Sequence, residues 1–369
     1  TCGVRDHATL LAAELERESA VCSMLWLTRA ERTLAGSRRE VGEWARGLRS
    51  ELAAERPDGV ILHYSTFSYA HRGVPIFVPE VLAAVRAGSG GAPVIGILHE
   101  IVYRWNYGGA RGKTWAFTQR AALIDVMRTL DAAVLTAEER IGWLRSRAYL
   151  ARRPLLLAPV FSNLPAPRSA PPTRAVPLVG LFGYAYQGAA IRQVLDGLQA
   201  LRGRGIATEL RLLGAPGPDS DAAAEWRAEA SARGLEVSFS GRLPAQELAD
   251  ALGACDVLLF ADAAGPTSRK GTLAGSLASG RPLVAFDGPQ TWPELRDARA
   301  IALAPASPIG LADTLAWLLG SPDEREALGR RGAEFARTRM GLERTATAVS
   351  DALQAAAGRA RGRAAAARA

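Results

Sequence analysis

Residues 265–286, GPTSRKGTLAGSLASGRPLVAF, set two cations, Arg269 and Lys270, directly before a Gly-Thr step and a run of small residues. The apolar run CDVLLFA before them reads as a strand. A helix is expected from about Thr272 to Gly280, with Pro282 barring its continuation. The cationic pair therefore falls where a strand hands over to a helix. Free backbone N–H groups and the positive end of the helix dipole make such a junction an anion site. Gly271 leaves the backbone open to a phosphate, and Thr272 and Ser268 offer hydroxyls. Arg269 suits bidentate contact with phosphate oxygens, and Lys270 acts as a point charge. The same spacing also fits an ordinary helix start with solvated cations.

The elements that must position this loop follow a repeating grammar. In the first half the apolar runs are SMLWL (23–27), GVILHYS (59–65), PVIGILHE (93–100), DAAVLTA (131–137) and PLLLAPV (154–160), with helix-length segments such as DHATLLAAELERE and VGEWARGLRSELAAE between them. Buried strands alternating with helices predict a parallel sheet covered on both faces. Six prolines between Pro159 and Pro177 disfavour helix and give an extended connector. The grammar then resumes with PLVGLFG, ELRLLGA, VSFSG, CDVLLFA and PLVAFD. The expected organisation is an N-terminal Rossmann-like domain over 1–160, a Pro-rich linker over 161–176, a second such domain over 177–335, and a C-terminal helix and basic tail over 336–369. Two doubly wound domains facing one another would form a cleft at the carboxyl ends of their strands.

A chain of 369 residues exceeds the usual single core, and its 48% apolar and 22% charged content suits folded domains rather than disorder. The net charge of +8 favours anionic partners without choosing among them, and Arg359, Arg361, Arg363 and Arg368 add to it near the C-terminus. An Arg-rich, Ala-rich composition also fits a GC-rich genome. The three cysteines, Cys2, Cys22 and Cys255, form no CxxC pair and leave an odd number, which suggests neither a disulfide framework nor a zinc site. No run of 18 apolar residues occurs, so a cytoplasmic protein is expected, with room for contact at the inner face of the membrane. The chain opens at Thr1 in what reads as a loop, and an initial strand is expected to lie before it.

The segment from Gly265 through ASGRPLVAFDGPQTWPEL resembles the donor-binding signature of retaining glycosyltransferases of the GT-B fold, family 4. GVRDHATLLAAEL (3–15), YSTFSYAHRGVP (64–75), ILHE (97–100), LTAEER (135–140) and APVFSNLP (158–165) match further landmarks in the expected order along nearly the whole chain. The resemblance implies an α/β protein of two Rossmann-like domains. It also implies sugar transfer from a nucleotide sugar (UDP-, dTDP- or GDP-linked) to a small-molecule, glycan or lipid-linked acceptor, with retention of configuration. It implies no cofactor, no metal and no nucleic-acid partner. Positive charge and N–H donors are needed on the departing diphosphate. That work would fall to Ser268, Arg269, Lys270, Gly271, Thr272 and Leu273, with Gly3 allowing close approach of the N-terminal loop. Gly183, Tyr184, Gly214 and Gly275 would line the nucleoside region. His99 matches the family's HE or HD pair at the donor sugar or reacting centre, and Glu100 would either join the acceptor side or support the loop that follows. In that loop Tyr103, Trp105 and Tyr107 alternate with Arg104, Arg111 and Lys113, a composition suited to sugars or to phosphorylated or lipid-linked acceptors, or to a lid without a specific ligand. Tyr69, Arg72 and Gly73 are further acceptor-side candidates.

The chain departs from the family at two places. Many members carry two glutamates in the donor segment, where this sequence has Thr267 and Gly275, and the second commonly holds the ribose hydroxyls. Many also carry Arg and Lys in the loop that here reads GYAYQG (183–188), without either cation. A deoxyribose donor such as a dTDP-sugar is one expectation drawn from Gly275. The alternatives are a nucleotide-sugar epimerase or hydrolase on the same fold, which needs positioned acids and bases, and a non-catalytic nucleotide-sugar-binding protein.

Overall fold

The computed structural model describes all residues except 1–2, 106–107, 151–152, 170–171, 184–187 and 367–369, and describes side chains as far as residue 359. Candidates Tyr107 and Tyr184 lie outside the described residues. The chain divides into two units, Thr1–Ala158 with Glu343–Ala369, and Pro159–Leu342.

The first unit runs α1 (Gly3–Arg17), α2 (Leu34–Glu55), β1 (Val60–Ser65), α3 (Val78–Gly88), β2 (Val94–Glu100), α4 (Gly109–Thr129), β3 (Ala132–Leu135), α5 (Glu138–Arg145) and β4 (Leu155–Leu157). Helix α2 starts on the Thr33 hydroxyl, which accepts the Gly36 N–H, and buries Val41, Ala45, Leu48 and Leu52 at helical spacing. It stops at Arg56, whose φ of 48° turns the chain left-handed ahead of Pro57. The four strands form a parallel sheet in the order β1-β2-β3-β4. Strand β2 is buried from Val94 through Leu98 and surfaces at His99 and Glu100, so the sheet delivers those two residues to its carboxyl edge. Gly96 makes this packing possible, since a Cβ there would meet Leu130 Cδ1 at 2.3 Å. The run 23–27, expected as a strand, pairs with none of the sheet; it is irregular chain whose Leu25 and Leu27 pack on the core. Leu25 and Leu27 reach the core while the backbone of the run joins neither edge strand, β1 nor β4.

The second unit contains β5 (Leu178–Gly183), α6 (Ala189–Gly203), β6 (Glu209–Gly214), α7 (Asp221–Ser231), β7 (Val237–Phe239), α8 (Ala245–Gly253), β8 (Val257–Phe260), α9 (Gly271–Ala278), β9 (Leu283–Asp287), α10 (Pro293–Asp297), β10 (Ala302–Pro305), α11 (Pro308–Gly320) and α12 (Pro322–Arg339). Its parallel sheet is ordered β10-β9-β8-β5-β6-β7. Strand β10 was not foreseen from the sequence, because it has only four residues, ALAP, too few to show a period. The connections progress outward in opposite directions from the adjacent pair β5 and β8. A crevice at the carboxyl ends of such a pair is where open parallel sheets receive ligands. One face of the sheet is covered by a core including Leu181, Val194, Leu198, Leu259 and Phe286, the other by Phe182, Leu213, Leu258, Leu273 and Leu277.

The last helix, α13 (Leu342–Ala366), belongs to the first unit. Leu353 packs over Gly59 beside β1, where a Cβ would meet it at 2.6 Å. The Arg-rich end of the chain is helical through Ala366. No helix among the described residues is long and apolar enough to cross a membrane.

Candidate functional site

In the second unit, the loop after β8 carries the two cations to the start of α9. Lys270 occupies the cap position, and its ammonium, which has no acceptor atom, makes no capping hydrogen bond to the first turn. The stretch from Gly265 to Ser268 is buried while Arg269, Lys270 and Thr272 are half-buried and Gly271 is exposed. The buried part is braced from the β9–α10 connection: Gln290 N–H donates to Ala264 O at 2.7 Å and Trp292 N–H to Pro266 O at 2.9 Å. Gly265, at φ +94°, lies where a Cβ would meet Thr291 Oγ1 at 2.3 Å, and a Cβ on Gly288 would meet the Ala264 backbone at the same distance. From the connector, Val160 N–H donates to Ser268 O at 2.8 Å. The cations thus project from a fixed backbone rather than from a loose loop. Asp262, whose carboxylate lies 3.8 Å from Lys270 Nζ and accepts the Ala264 N–H, is a member of this loop that the sequence reading passed over.

The nucleoside-region candidates converge on one ring. Phe182, near the end of β5, lies between two glycines: a Cβ on Gly275 would meet its Cε1 at 3.1 Å, and a Cβ on Gly214, at φ +90°, would meet its Cε2 at 3.2 Å. Leu164 closes the Gly275 side at 3.2 Å. Gly275 and Gly183 are buried. The position where the resemblance leads one to look for a carboxylate is therefore packed against an aromatic ring and a leucine. Thr267, at the other glutamate position, is 2% exposed.

In the first unit, His99 does not stand alone. Its Nε2 lies 3.1 Å from His63 Nδ1 on β1, and His7 of α1 approaches both rings edge-on, with centroids 5.0 Å from His99 and 5.7 Å from His63. One ligand nitrogen from each of the three lies within 4.8 Å of the others. Burial pushes all three pKa values down, His7 to about 2, His63 to about 3 and His99 to about 4. The neighbouring histidines add to the effect at His7 and His63, and the Arg140 guanidinium adds to it at His99. All three imidazoles are neutral at physiological pH. Arg140 of α5 also donates to the His99 carbonyl, fixing the strand end. Glu100 is exposed beside this group. Gly3 opens α1, with open space where a Cβ would stand. His7 and His63 were missed by the sequence reading, since each is a lone histidine in an apolar pattern and nothing in their spacing announces a meeting.

The acceptor-side candidates divide. Tyr69 is buried between Trp44 and Tyr64, and burial pushes its phenol up to about 12. Arg72, Gly73, Tyr103 and Trp105 instead gather on the first half of α4. Trp115 Nε1–H donates to Arg72 O at 2.8 Å, and Gln119, fully buried, donates to Gly73 O and accepts the Tyr103 N–H at 2.7 Å. The Tyr103 and Trp115 rings meet edge to face at 5.1 Å. Guanidinium groups lie over two of the indoles, Arg111 over Trp115 at 4.7 Å and Arg120 over Trp105 at 4.5 Å. Lys113 is exposed on the same helix. Trp115, Gln119 and Arg120 are the organising residues that motif reading did not single out.

By sequence the chain matches no family profile and no curated protein. By structure it is similar to sucrose-phosphate synthase from Thermosynechococcus elongatus, with a TM-score of 0.59 at 15% identity over 94% of this chain and 91% of that one. It is similar to Anabaena HepE in complex with UDP and glucose, with a TM-score of 0.61 at 14% identity over 93% and 88%. A Listeria monocytogenes protein described as a UDP-N-acetylglucosamine 2-epimerase gives 0.56 at 14% identity over 90% of each chain. The protein has the GT-B fold, an α/β architecture of two parallel-sheet units.

Proposed function

We propose that the protein is a glycosyltransferase that moves a sugar from a nucleotide-diphosphate sugar to an acceptor hydroxyl with retention of configuration. The observation that carries this reading is the braced loop at the β5/β8 reversal, which puts Arg269, Lys270 and the start of α9 just beyond the carboxyl end of β8, the kind of place where open parallel sheets receive ligands. There the leaving diphosphate would receive positive charge and N–H donors from residues 268–273 rather than from a metal ion. Preorganised charge of this kind stabilises the leaving group without reorganisation at the moment of reaction. The aromatic and cationic group on α4 suits an acceptor with a sugar ring and an anionic or lipid-linked portion. A bound sugar in the first unit would meet the edge where His99 surfaces.

The test is a nucleotide screen by thermal shift with UDP, dTDP and GDP, followed by mass spectrometry for free nucleotide and a new glycoside with candidate acceptors. Arg269→Ala and Lys270→Ala are each expected to weaken nucleotide-diphosphate binding about 10- to 100-fold, the scale of one charge-assisted hydrogen bond. Equal affinity of both variants and wild type for UDP would remove the reading's basis. A second reading, a nucleotide-sugar epimerase, is favoured by the likeness to the Listeria protein. Conversion of the nucleotide sugar in the absence of any acceptor distinguishes it.

A further inference from the structure

We propose that His7, His63 and His99 form a binding site for a divalent cation of the zinc type. The site lies wholly in the first unit and does not rest on the transferase reading. Three of the protein's four histidines arrive from three different elements, α1, β1 and β2, at one point. Around tetrahedral zinc, with Zn–N bonds of about 2.0 to 2.1 Å, ligand nitrogens stand about 3.3 Å apart. The His63 Nδ1 to His99 Nε2 separation of 3.1 Å is close to that spacing already. The third nitrogen, within 4.8 Å of the others, needs a shift of roughly 1.5 Å, within reach of a side-chain rotation. His63 and His99 stand on neighbouring parallel strands of one sheet, His63 opposite Ile97 and His99 at the register shift between Tyr64 and Ser65, so the backbone of two adjacent strands carries two of the ligands.

The chemistry is balanced. Imidazole ligates as the neutral form, which burial already enforces here. The proton shared between His63 and His99 moves to the outer nitrogen of its own ring, so binding changes a tautomer and releases no proton. Imidazole donors select zinc, copper, nickel or iron over magnesium and calcium. His63 and His99 are partly exposed, which leaves a fourth position for water or an oxygen ligand, the arrangement of an open rather than a closed zinc site. The Arg140 guanidinium at the His99 carbonyl opposes the cation and favours an anionic fourth ligand.

The experiment uses untagged protein stripped with a chelator and titrated with Co²⁺, then with Zn²⁺ in competition. One equivalent of Co²⁺ is expected to give the intense visible bands of a four-coordinate ion, and Zn²⁺ is expected to abolish them and raise the melting temperature. His7→Ala and His63→Ala are expected to weaken binding by more than the roughly 100-fold typical of losing an outer-sphere partner. His71→Ala, which removes the histidine outside the cluster, is expected to bind as wild type does. His7→Gln and His63→Gln repeat the test should either alanine variant fail to fold. Absence of saturable Co²⁺ and Zn²⁺ binding in wild type, or equal binding in the folded His7 and His63 variants, overturns the proposal.

Discussion

Replacing Gly275 by glutamate restores, at that position, the carboxylate that the donor segment of similar enzymes leads one to look for. The structure predicts a loss of stability rather than a gain of binding. Removing a glycine from the interior of α9 stabilises the helix by about 0.5 to 1 kcal/mol. Against this, the Cβ would stand 3.1 Å from Phe182 and 3.2 Å from Leu164, and the longer chain must force both aside, an overpacking cost of about 1 to 3 kcal/mol. A carboxyl group lodged there without a partner costs about 1 to 3 kcal/mol more. The net loss is about 3 kcal/mol, which lowers the melting temperature of a unit of this size by about 6 to 12 °C. Gly275→Ala is the control, since its helix gain offsets a shift of a few tenths of an ångström in Phe182 and leaves it within about 1 kcal/mol of wild type. Thermal denaturation followed by circular dichroism reads both. If Gly275→Glu melts at the wild-type temperature and binds UDP more tightly, Phe182 swings clear and the packing argument is wrong.

With no carboxylate at Gly275 for ribose hydroxyls, dTDP-sugars are expected to bind more tightly than UDP-sugars of the same hexose; calorimetry showing equal affinity, or a preference for UDP, contradicts this. Gln119→Leu removes the partner of the buried Gly73 carbonyl and of the partly buried Tyr103 N–H, and a stability loss of about 1 to 4 kcal/mol is expected. Urea denaturation checks it, and a loss below the cost of one unsatisfied group would refute the bridging role. The three clustered histidines have folded pKa values below their ordinary 6.5, so the unfolded chain binds more protons as pH falls. Their stabilising contribution is complete above about pH 6.5 and declines toward pH 4, with a slope approaching about 1.4 kcal/mol per pH unit for each imidazole. Denaturation in chelator at pH 7.5 and 5.5 tests this; a flat profile, or one unchanged in His7→Gln, refutes it.

The alternation of apolar runs with helix-length segments was enough to predict two parallel α/β units, because buried strands such as VIGIL and LVGLFG need helices on both faces. The strand-to-helix junction at Arg269 and Lys270 was also legible, since Gly271 and Pro282 bound the helix through local backbone chemistry. The run SMLWL misled, because hydrophobicity reports contact with the core and not whether the backbone pairs with a strand. Strand order, and with it the reversal between β5 and β8, came only from the fold, as pairing joins residues far apart in the chain. The same holds for Phe182 between Gly214 and Gly275, and for the histidine cluster. Sequence alone thus determined which segments are buried and where a helix can start. Tertiary structure decided which side chains meet, because β1 and β2 are neighbours in one sheet, His7 of α1 comes against the histidines at their carboxyl ends, and no local pattern encodes that distance.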